Sequence, residues 1–165
     1  MEREYYMFPT APGPLYDLLA EQLPALLEGT RYSVSILSNA SALLNQALQN
    51  INWVGFYLLR DDILVLGPFQ GKTACIEISR GHGVCGTAVA QDATQLVEDV
   101  HSFPGHIACD SASNSEIVVP LHVNGTLYGV LDIDSPLVGR FTEADREGLE
   151  RLAHLIEQAL AAAID

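Results

Sequence analysis

Apolar residues recur at helical spacing in the first third of the chain. Leucines within 15–27 follow that spacing, with Pro24 as an expected kink or break and Gly29 as an expected stop. Within 35–48, apolar side chains follow an i, i+3, i+4, i+7 pattern over more than three turns. This part of the chain is predicted to form one helix, or two short ones, followed by a longer amphipathic helix.

The middle of the chain changes to short runs rich in aromatic and β-branched residues. Residues 52–60 form one such run, and an Asp-Asp pair turns it back into the apolar run 63–66, which is the signature of a β-hairpin. Residues 72–79 predict a third strand, with Cys75 inside it. We therefore expect a hairpin and then a third strand.

A glycine-containing break at 80–83 separates this strand from a second helical signal. Residues 84–91 are short and alanine-rich, which predicts a helix with Cys85 near its start. A short strand at 95–97 then leads into a loop at 99–115. Seventeen residues without regular structure are long for a compact domain, and such loops are usually lids or binding loops.

The last third of the chain carries a hairpin and a helix. Two β-rich runs, 116–123 and 126–133, are joined by Asn-Gly, one of the better short-range hairpin signals. Thr142, with Asp145 three residues later, resembles a capping box that opens a final helix. Strands adjacent in sequence, with helices at the ends of the chain, predict an α+β domain with a largely antiparallel sheet.

Composition narrows the classes of partner. At 165 residues and 48% apolar content, the chain is predicted to form a single domain, 1–165, with its own core. The 8 Lys and Arg against 21 Asp and Glu give a net charge of -13, which repels nucleic-acid phosphates and anionic lipids, so we expect neither nucleic acid nor membrane as a partner. The N-terminus lacks a signal-peptide pattern, so we expect a cytoplasmic protein.

The three cysteines do not describe a framework of structural disulfides, because their number is odd and the expected compartment is reducing. Cys109 lies among Ser, Asn, Asp and Gly, so it is expected to be accessible rather than packed in the core. Cys75 could be a core residue, or a second thiol that condenses with an oxidised one. Cys85 could have a pKa lowered by the helix N-terminus, or could be simple small-residue packing.

Three carboxyl groups, Glu116, Asp132 and Asp134, lie at or inside apolar runs. A buried carboxylate without a partner costs free energy, so this arrangement points to a site. The two aspartates share one strand face, although that face could still be exposed to solvent. A regular two-residue turn would place Glu116 opposite Ile133, on the other face. We therefore predict a one-residue offset, such as a three-residue loop with a bulge, or a Glu116 just outside the ladder.

Two further sets of side chains could serve a pocket. Trp53 and Tyr57 share a strand face, either as ordinary core packing or as an aromatic wall for a small apolar group. A metal centre is not favoured, because the candidate thiols and imidazoles show no repeated ligand spacing. Those candidates are Cys75, His82, Cys85, His106 and Cys109.

Five short motifs, read together, closely resemble the free methionine-(R)-sulfoxide reductases, which are stand-alone members of the GAF domain fold. The motifs are Lys-Thr-Ala-Cys at 72–75, Gly-Val-Cys-Gly at 83–86, His-Ile-Ala-Cys-Asp at 106–110, Ser-Glu-Ile-Val-Val-Pro at 115–120 and Leu-Asp-Ile-Asp-Ser-Pro at 131–136. The match runs from about Trp53 to the final helix. The joint pattern of three cysteines is far more specific than any single motif.

The resemblance implies a GAF-like sheet of about six strands flanked by N- and C-terminal helices. It implies Cys109 as the nucleophile, Cys75 as the resolving thiol and Cys85 as a less certain alternative. It also implies a substrate pocket, no cofactor, recycling by thioredoxin and a homodimer. The implied pocket residues are Trp53, Tyr57, Glu116, Asp132 and Asp134.

Elementary chemistry agrees with that substrate. A free amino acid carries an ammonium group that peptide-bound methionine lacks, and a cluster of carboxylates binds such a group. Three nearby carboxylates cannot all ionise cheaply, so one could donate a proton to the sulfoxide oxygen as Cys109 attacks sulfur. Trp53 would contact the S-methyl group and help to select one sulfur epimer.

Two other classes of function compete with this hypothesis. Many GAF domains sense small ligands without catalysis, although such sensors usually regulate an attached output domain and we expect none here. A thiol-based redox sensor could use the same cysteines without a methionine pocket. Release of methionine from the free sulfoxide in the presence of a dithiol would separate the three classes.

Overall fold

The computed structural model describes residues 8–107 and 109–165. Within these ranges the chain forms four α-helices, six β-strands and a short 3-10 turn at Val100–Ser102. The helices are α1 Pro12–Leu27, α2 Ser33–Ala47, α3 Gly83–Gln91 and α4 Glu143–Ala161. The strands are β1 Trp53–Arg60, β2 Ile63–Gly71, β3 Glu77–Ser79, β4 Gln95–Val97, β5 Ser115–Val123 and β6 Thr126–Ser135. None of the helices in these ranges is long and apolar enough to span a bilayer.

The six strands join in a single sheet in the order β3-β2-β1-β6-β5-β4, and every neighbouring pair is antiparallel. β1 and β6 therefore lie at the centre, each between two partners. The two predicted hairpins are present as β1–β2 and β5–β6. The predicted α+β class with a largely antiparallel sheet is confirmed.

Alternation along the strands divides the molecule into two apolar layers. One face of the sheet packs on α1, α2 and α4, and this layer holds the larger core. Its fully buried side chains include Leu19, Ile36, Phe56, Leu131 and Ile156. The other face is covered by α3 and forms a smaller layer that includes Trp53, Tyr57, Val84, Cys85 and Val118. The larger layer is a scaffold, and the smaller one contains the predicted site residues.

The first helix is continuous. The sequence had predicted either one helix or two short helices in this region. α1 runs from Pro12 to Leu27 with Pro24 inside it, so the expected break at this proline is absent. A proline this close to the C-terminal end removes only one hydrogen bond near a terminus. Four of its leucines are buried against the core, including Leu19 and Leu23, which holds the helix together through packing.

The predicted third strand is wrong over most of its length. Only Glu77–Ser79 pairs with β2, and Cys75 lies in the irregular segment before it. Hydrogen bonds from two side chains of β1 hold the rest of this segment instead of β-ladder pairing. The Trp53 indole N–H donates to the Lys72 carbonyl over 3.2 Å, and the Tyr57 hydroxyl donates to the Cys75 carbonyl over 2.8 Å.

The other predicted elements agree with the structure. α3 begins near Cys85 as expected, and the loop at 99–115 is irregular in its described part apart from the 3-10 turn. The capping box is present at the start of α4, where the Thr142 side chain accepts from the Asp145 amide and the Asp145 carboxylate accepts from the Thr142 amide.

Candidate active site

One extra residue in β6 brings the three predicted carboxyl groups to the same face of the sheet. The Asn-Gly turn keeps its two residues, but the described register passes from Leu127 to Gly129 and leaves Tyr128 as a bulge. Beyond the bulge, Glu116 lies opposite Asp134. The predicted one-residue offset is therefore confirmed, as a bulge inside the ladder rather than as a three-residue loop.

Three strands then place functional side chains in one row. Trp53 of β1 lies opposite Asp134 of β6, which lies opposite Glu116 of β5. Asp132 is two residues along β6 and projects from the same face. The rings of Trp53 and Tyr57 stack with centroids 5.8 Å apart. All five side chains line one pocket, with an aromatic wall from β1 and an acidic floor made of Glu116, Asp132 and Asp134.

Burial controls the ionisation of the acidic floor. Glu116 and Asp132 are 6% and 5% exposed. Burial raises the pKa of Asp132 to about 6, against the opposite effect of its contacts with Glu116 and Cys85. Burial, and then the charge of Asp132, raise the pKa of Glu116 and of Asp134 well above the usual values. Burial therefore opposes ionisation at all three groups, and the charge of an ionised Asp132 opposes ionisation of Glu116 and Asp134 further.

Cys85 lies against the acidic floor at the start of α3. Its Sγ donates to Glu116 Oε1 over 3.9 Å, and the residue is 3% exposed. Burial raises the pKa of the Cys85 thiol well above its usual value, and the charge of Asp132 raises it further. Of the two alternatives left open from sequence, the structure favours small-residue packing over a lowered pKa, because desolvation outweighs the helix dipole here. Cys85 is a protonated, packed thiol.

The other two cysteines form a disulfide at the pocket. Cys75 and Cys109 are bonded, with their Cα atoms 5.5 Å apart. Cys109 lines the pocket directly, and Cys75 enters from the segment that Trp53 and Tyr57 hold through its carbonyls. The aromatic wall therefore also fixes the position of the second thiol. Two thiols that form a disulfide in one protein can serve as an attacking and a resolving pair.

Asn52 anchors the loop that carries Cys109. Its side-chain amide donates to Asp110 Oδ2 over 3.0 Å and to Ser113 Oγ over 3.1 Å. Its backbone amide donates to the Asp134 carbonyl over 2.9 Å. A single residue before β1 thus ties the cysteine loop to the strand that holds the acidic floor. Nothing local in the sequence marks a long-range amide contact, so the role of Asn52 is visible only in the structure.

His106 is a second pocket residue that the sequence analysis did not assign to substrate binding. Its Nε2 lies 4.0 Å from Glu116 Oε2. Burial, and then the charge of His101, lower the pKa of His106, so its imidazole is neutral at physiological pH. The sequence does contain one indication that His106 lies at the pocket, since it stands three residues before Cys109 in the same motif. The pocket is further lined by Thr73, Ala74, Ile78, His82, Gly83 and Ile107.

A metal-capable group in the described ranges differs from the one considered from sequence. Cys85, Glu116 and Asp132 each offer one ligand atom, and these three atoms lie within 4.8 Å of one another. Cys75 and Cys109 are instead bonded to each other. The pocket combines an acidic floor, an aromatic wall and Cys109 of the disulfide, so it can accept a small cation with an apolar group beside a cysteine sulfur.

Comparison with known proteins identifies the family. The GAF domain model matches residues 12–160. The chain is 57% identical over 146 residues to the free methionine-R-sulfoxide reductase of Escherichia coli K12, covering 88% of each protein. The chain belongs to the GAF domain family. At this identity and coverage it lies among the free methionine-R-sulfoxide reductases of that family.

Solved structures of this family agree with the fold. A free methionine-R-sulfoxide reductase of Neisseria meningitidis, in complex with its substrate, has a TM-score of 0.92 at 40% identity and covers 98% of each chain. The fRMsr of Staphylococcus aureus, also in complex with substrate, has a TM-score of 0.86 at 52% identity over 94% of this chain and 99% of that chain. The GAF-like sheet expected from the motifs is confirmed.

Proposed function

We propose that this GAF domain protein reduces free methionine (R)-sulfoxide to methionine, with Cys109 as the nucleophile. One observation carries the proposal: Cys109, which is disulfide-bonded to Cys75, lines a pocket with an acidic floor and an aromatic wall. The similarity to free methionine-R-sulfoxide reductases supports the same reaction.

The pocket suits a zwitterionic amino acid. Asp132 is ionised, and its Oδ1 is buried without a hydrogen-bond partner among the described residues, so it can accept from the substrate ammonium. The N-terminus of α3 lines the same pocket, and its free backbone amides can donate to the substrate carboxylate. A peptide-bound methionine lacks both charges. The pocket therefore selects the free amino acid.

The acidic floor also supplies protons. Burial and the charge of Asp132 raise the pKa of Glu116 and of Asp134, which favours the carboxylic acid form of each. As the Cys109 thiolate attacks the sulfoxide sulfur, one of these acids protonates the sulfoxide oxygen. The S–O bond breaks, methionine leaves, and the oxygen remains on Cys109 as a sulfenic acid. Trp53 packs against the S-methyl group and so favours one sulfur epimer.

Cys75 then resolves the sulfenic acid. Its thiol attacks the Cys109 sulfur, an S–S bond forms and one water molecule leaves, which gives the disulfide seen in the structure. Cys85 is a poor alternative, since its thiol is buried and its pKa is raised. The loop at 99–115 is predicted to be mobile, because Cys109 must face the substrate in one step and Cys75 in the next.

A dithiol protein of the thioredoxin type is the proposed reductant. Restoring both thiols requires exchange of two electrons with an external dithiol, and such reductants act in the cytoplasm, where we place this protein. Ile76, next to Cys75, is 72% exposed, and Ile107, near Cys109, is 38% exposed. These two side chains flank the disulfide and offer an apolar surface to a partner.

We also propose that the protein is a homodimer, joined through α1 and α4. A mainly apolar groove between the C-terminal ends of these helices is lined by Pro24, Ala25, Leu27, Glu28, Leu155, Gln158 and Ala159. Leu26 beside it is 42% exposed. Sedimentation velocity should show a dimer that Leu26→Asp weakens. A monomer at all concentrations of the unmodified protein would contradict this assignment.

The reaction is tested with free methionine sulfoxide and dithiothreitol. We expect methionine from the R epimer and none from the S epimer or from a peptide that contains methionine sulfoxide. Cys109→Ser should abolish turnover, whereas Cys75→Ser should keep the first turnover and lose recycling through the disulfide. Equal activity on the peptide, or no methionine release at all, would contradict the proposed function.

A further inference from the structure

One thiol and two carboxyl groups converge in the pocket, and their mutual hydrogen bonds leave one carboxyl oxygen without a partner among the described residues. The Sγ of Cys85 and one oxygen each from Glu116 and Asp132 lie within 4.8 Å of one another, and all three residues are buried. Asp132 Oδ1 has no hydrogen-bond partner among the described residues. A buried carboxylate oxygen without a partner is destabilising unless a cation or donor enters beside it.

The spacing of these atoms fits a small tetrahedral ion. A zinc ion with a Zn–S distance of about 2.3 Å and Zn–O distances of about 2.0 Å sets sulfur and oxygen about 3.5 Å apart. The distance from Cys85 Sγ to Glu116 Oε1 is 3.9 Å, so small side-chain rotations would suffice. His106 Nε2 lies 4.0 Å from Glu116 Oε2 and can supply a fourth ligand. A neutral imidazole is the form that binds a metal.

We propose that Cys85, Glu116 and Asp132, with His106 as the fourth ligand, bind a divalent cation of the zinc type that blocks the pocket. The ion has no part in the reduction. Binding of the ion releases the protons of the Cys85 thiol and the Glu116 carboxyl group to solvent. The resulting thiolate, two carboxylates and an imidazole are ligands that zinc accepts, and the set stands on β5, β6, α3 and the cysteine loop. This site assigns Cys85 a binding role that neither attack nor resolution requires.

The bound ion should inhibit the reduction, because the ion and the substrate share a carboxylate of the pocket. This inference rests on the proposed function. Asp132 is the carboxylate to which we assign the substrate ammonium, so the ion and the amino acid cannot bind at once. The ion should therefore act as a competitive inhibitor of methionine sulfoxide reduction. Metal binding itself requires no substrate and can be measured separately.

Cobalt(II) tests the site directly, because a thiolate ligand gives an intense charge-transfer band that oxygen and nitrogen ligands do not give. Two samples should be titrated with Co²⁺: the disulfide form, and the double variant Cys75→Ser with Cys109→Ser. In both, Cys85 is the remaining thiol of the three cysteines. We expect the band in the double variant, in which no disulfide closes the pocket. Circular dichroism checks that this variant is folded.

Ligand variants then assign the band. Adding Cys85→Ser should remove it entirely. Changes outside the ligand shell commonly weaken metal binding by about 10- to 100-fold, so loss of the ligand Glu116 in Glu116→Gln should weaken Co²⁺ binding at least that much. The group of Asp92, His122 and Glu157 provides a matched control, since it offers oxygen and nitrogen alone. His122→Ala should leave the band unchanged.

Competition between Co²⁺ and free methionine distinguishes failure of the metal-site proposal from failure of the proposed function. A band that disappears with Cys85→Ser, and that free methionine displaces, supports both. A band that methionine does not displace supports the metal site and counts against the assignment of Asp132 to the ammonium. Absence of the band from both folded samples, or its persistence after Cys85→Ser, would overturn the metal site and leave the reductase assignment untouched.

Discussion

At the scale of single residues, the acidic floor works because its three carboxyl groups do not ionise together. Asp132 is the group that keeps a charge at neutral pH, since its pKa is raised only to about 6. Glu116 and Asp134 are raised further by burial and by the charge of Asp132. Binding and proton donation can therefore be assigned to different members of one cluster.

Asp132→Asn should impair substrate binding. A hydrogen bond to a charged group contributes about 1.5 to 3 kcal/mol, so kcat/KM should fall by about 10- to 150-fold at neutral pH. In the unmodified protein, kcat/KM should fall as pH drops through about 6, because Asp132 then takes up a proton. Single turnovers of pre-reduced protein measure both effects. The kcat/KM of Asp132→Asn should not show this fall at low pH, whereas that of the exposed control Asp92→Asn should still show it.

The same substitution should stabilise the fold at alkaline pH. The pKa of Asp132 is about 6 when folded and about 3.9 when unfolded, so its favourable contribution is complete below the unfolded pKa and is lost as pH rises through about 6. Asparagine does not ionise. Above that pH the variant should gain free energy of unfolding relative to the unmodified protein, about 3 kcal/mol. Urea unfolding near pH 8 and near pH 4 measures the gain, and an equal gain at both would contradict this account.

Residue types alone revealed part of this site. Carboxylates inside apolar runs are conspicuous because burial is costly, and the three acids that stand out in this way all line the pocket. The state of Cys85 could not be obtained in this way. A helix N-terminus favours a thiolate and burial opposes it, and only the structure gives the balance of the two. The pairing of Cys75 with Cys109 came from the family resemblance, not from their spacing.

At the scale of elements, the bulge at Tyr128 sets the register on which the site depends. Deleting Tyr128 should convert the hairpin to a regular ladder that still pairs Glu116 with Asp134. Activity should therefore survive, within about tenfold. Inserting one alanine after Val118 should instead turn the Glu116 side chain to the opposite face. Removal of an acid from catalysis commonly costs about 100- to 10,000-fold, and kcat assays of the two folded variants compare the effects.

The irregular segments were harder to predict than the helices and hairpins. Periodicity predicted α2 and α4 because their apolar stripes are long and regular, and Asn-Gly predicted the second hairpin. Residues 72–79 have a strand-like composition, yet most of this segment is held by hydrogen bonds from Trp53 and Tyr57. Contacts of this kind join distant parts of the chain, so local composition does not reveal them.

The loop at 99–115 should loosen when its anchors are removed. Reduction of the disulfide should increase amide hydrogen exchange in this loop, and Asn52→Ala should increase it further by removing the bonds to Asp110 and Ser113. We expect disulfide formation after a single turnover to slow in the variant. Asn45→Ala on α2 is the matched control. Unchanged exchange on reduction would contradict the predicted loop mobility.

At the scale of the whole molecule, the sheet separates stability from chemistry. The larger layer with α1, α2 and α4 buries most of the apolar side chains, whereas the layer under α3 combines acids, thiols and aromatic rings. Strain and desolvation in the smaller layer can be tolerated because the larger layer supplies the packing. The net charge of -13 opposes association with polyanions and leaves apolar surfaces as the natural contacts for proteins.

One such surface is the pair of isoleucines beside the disulfide, and it allows recycling to be tested apart from chemistry. Ile76→Ser should lower the kcat/KM for thioredoxin about 5- to 30-fold, because burying a large aliphatic side chain contributes about 1 to 2 kcal/mol at an interface. Turnover with dithiothreitol should be unchanged, since a small reductant needs no docking surface. Val34→Ser, at a 59% exposed position on α2, is the matched control. Equal losses with both reductants would place Ile76 in the reaction itself rather than in the docking of its partner.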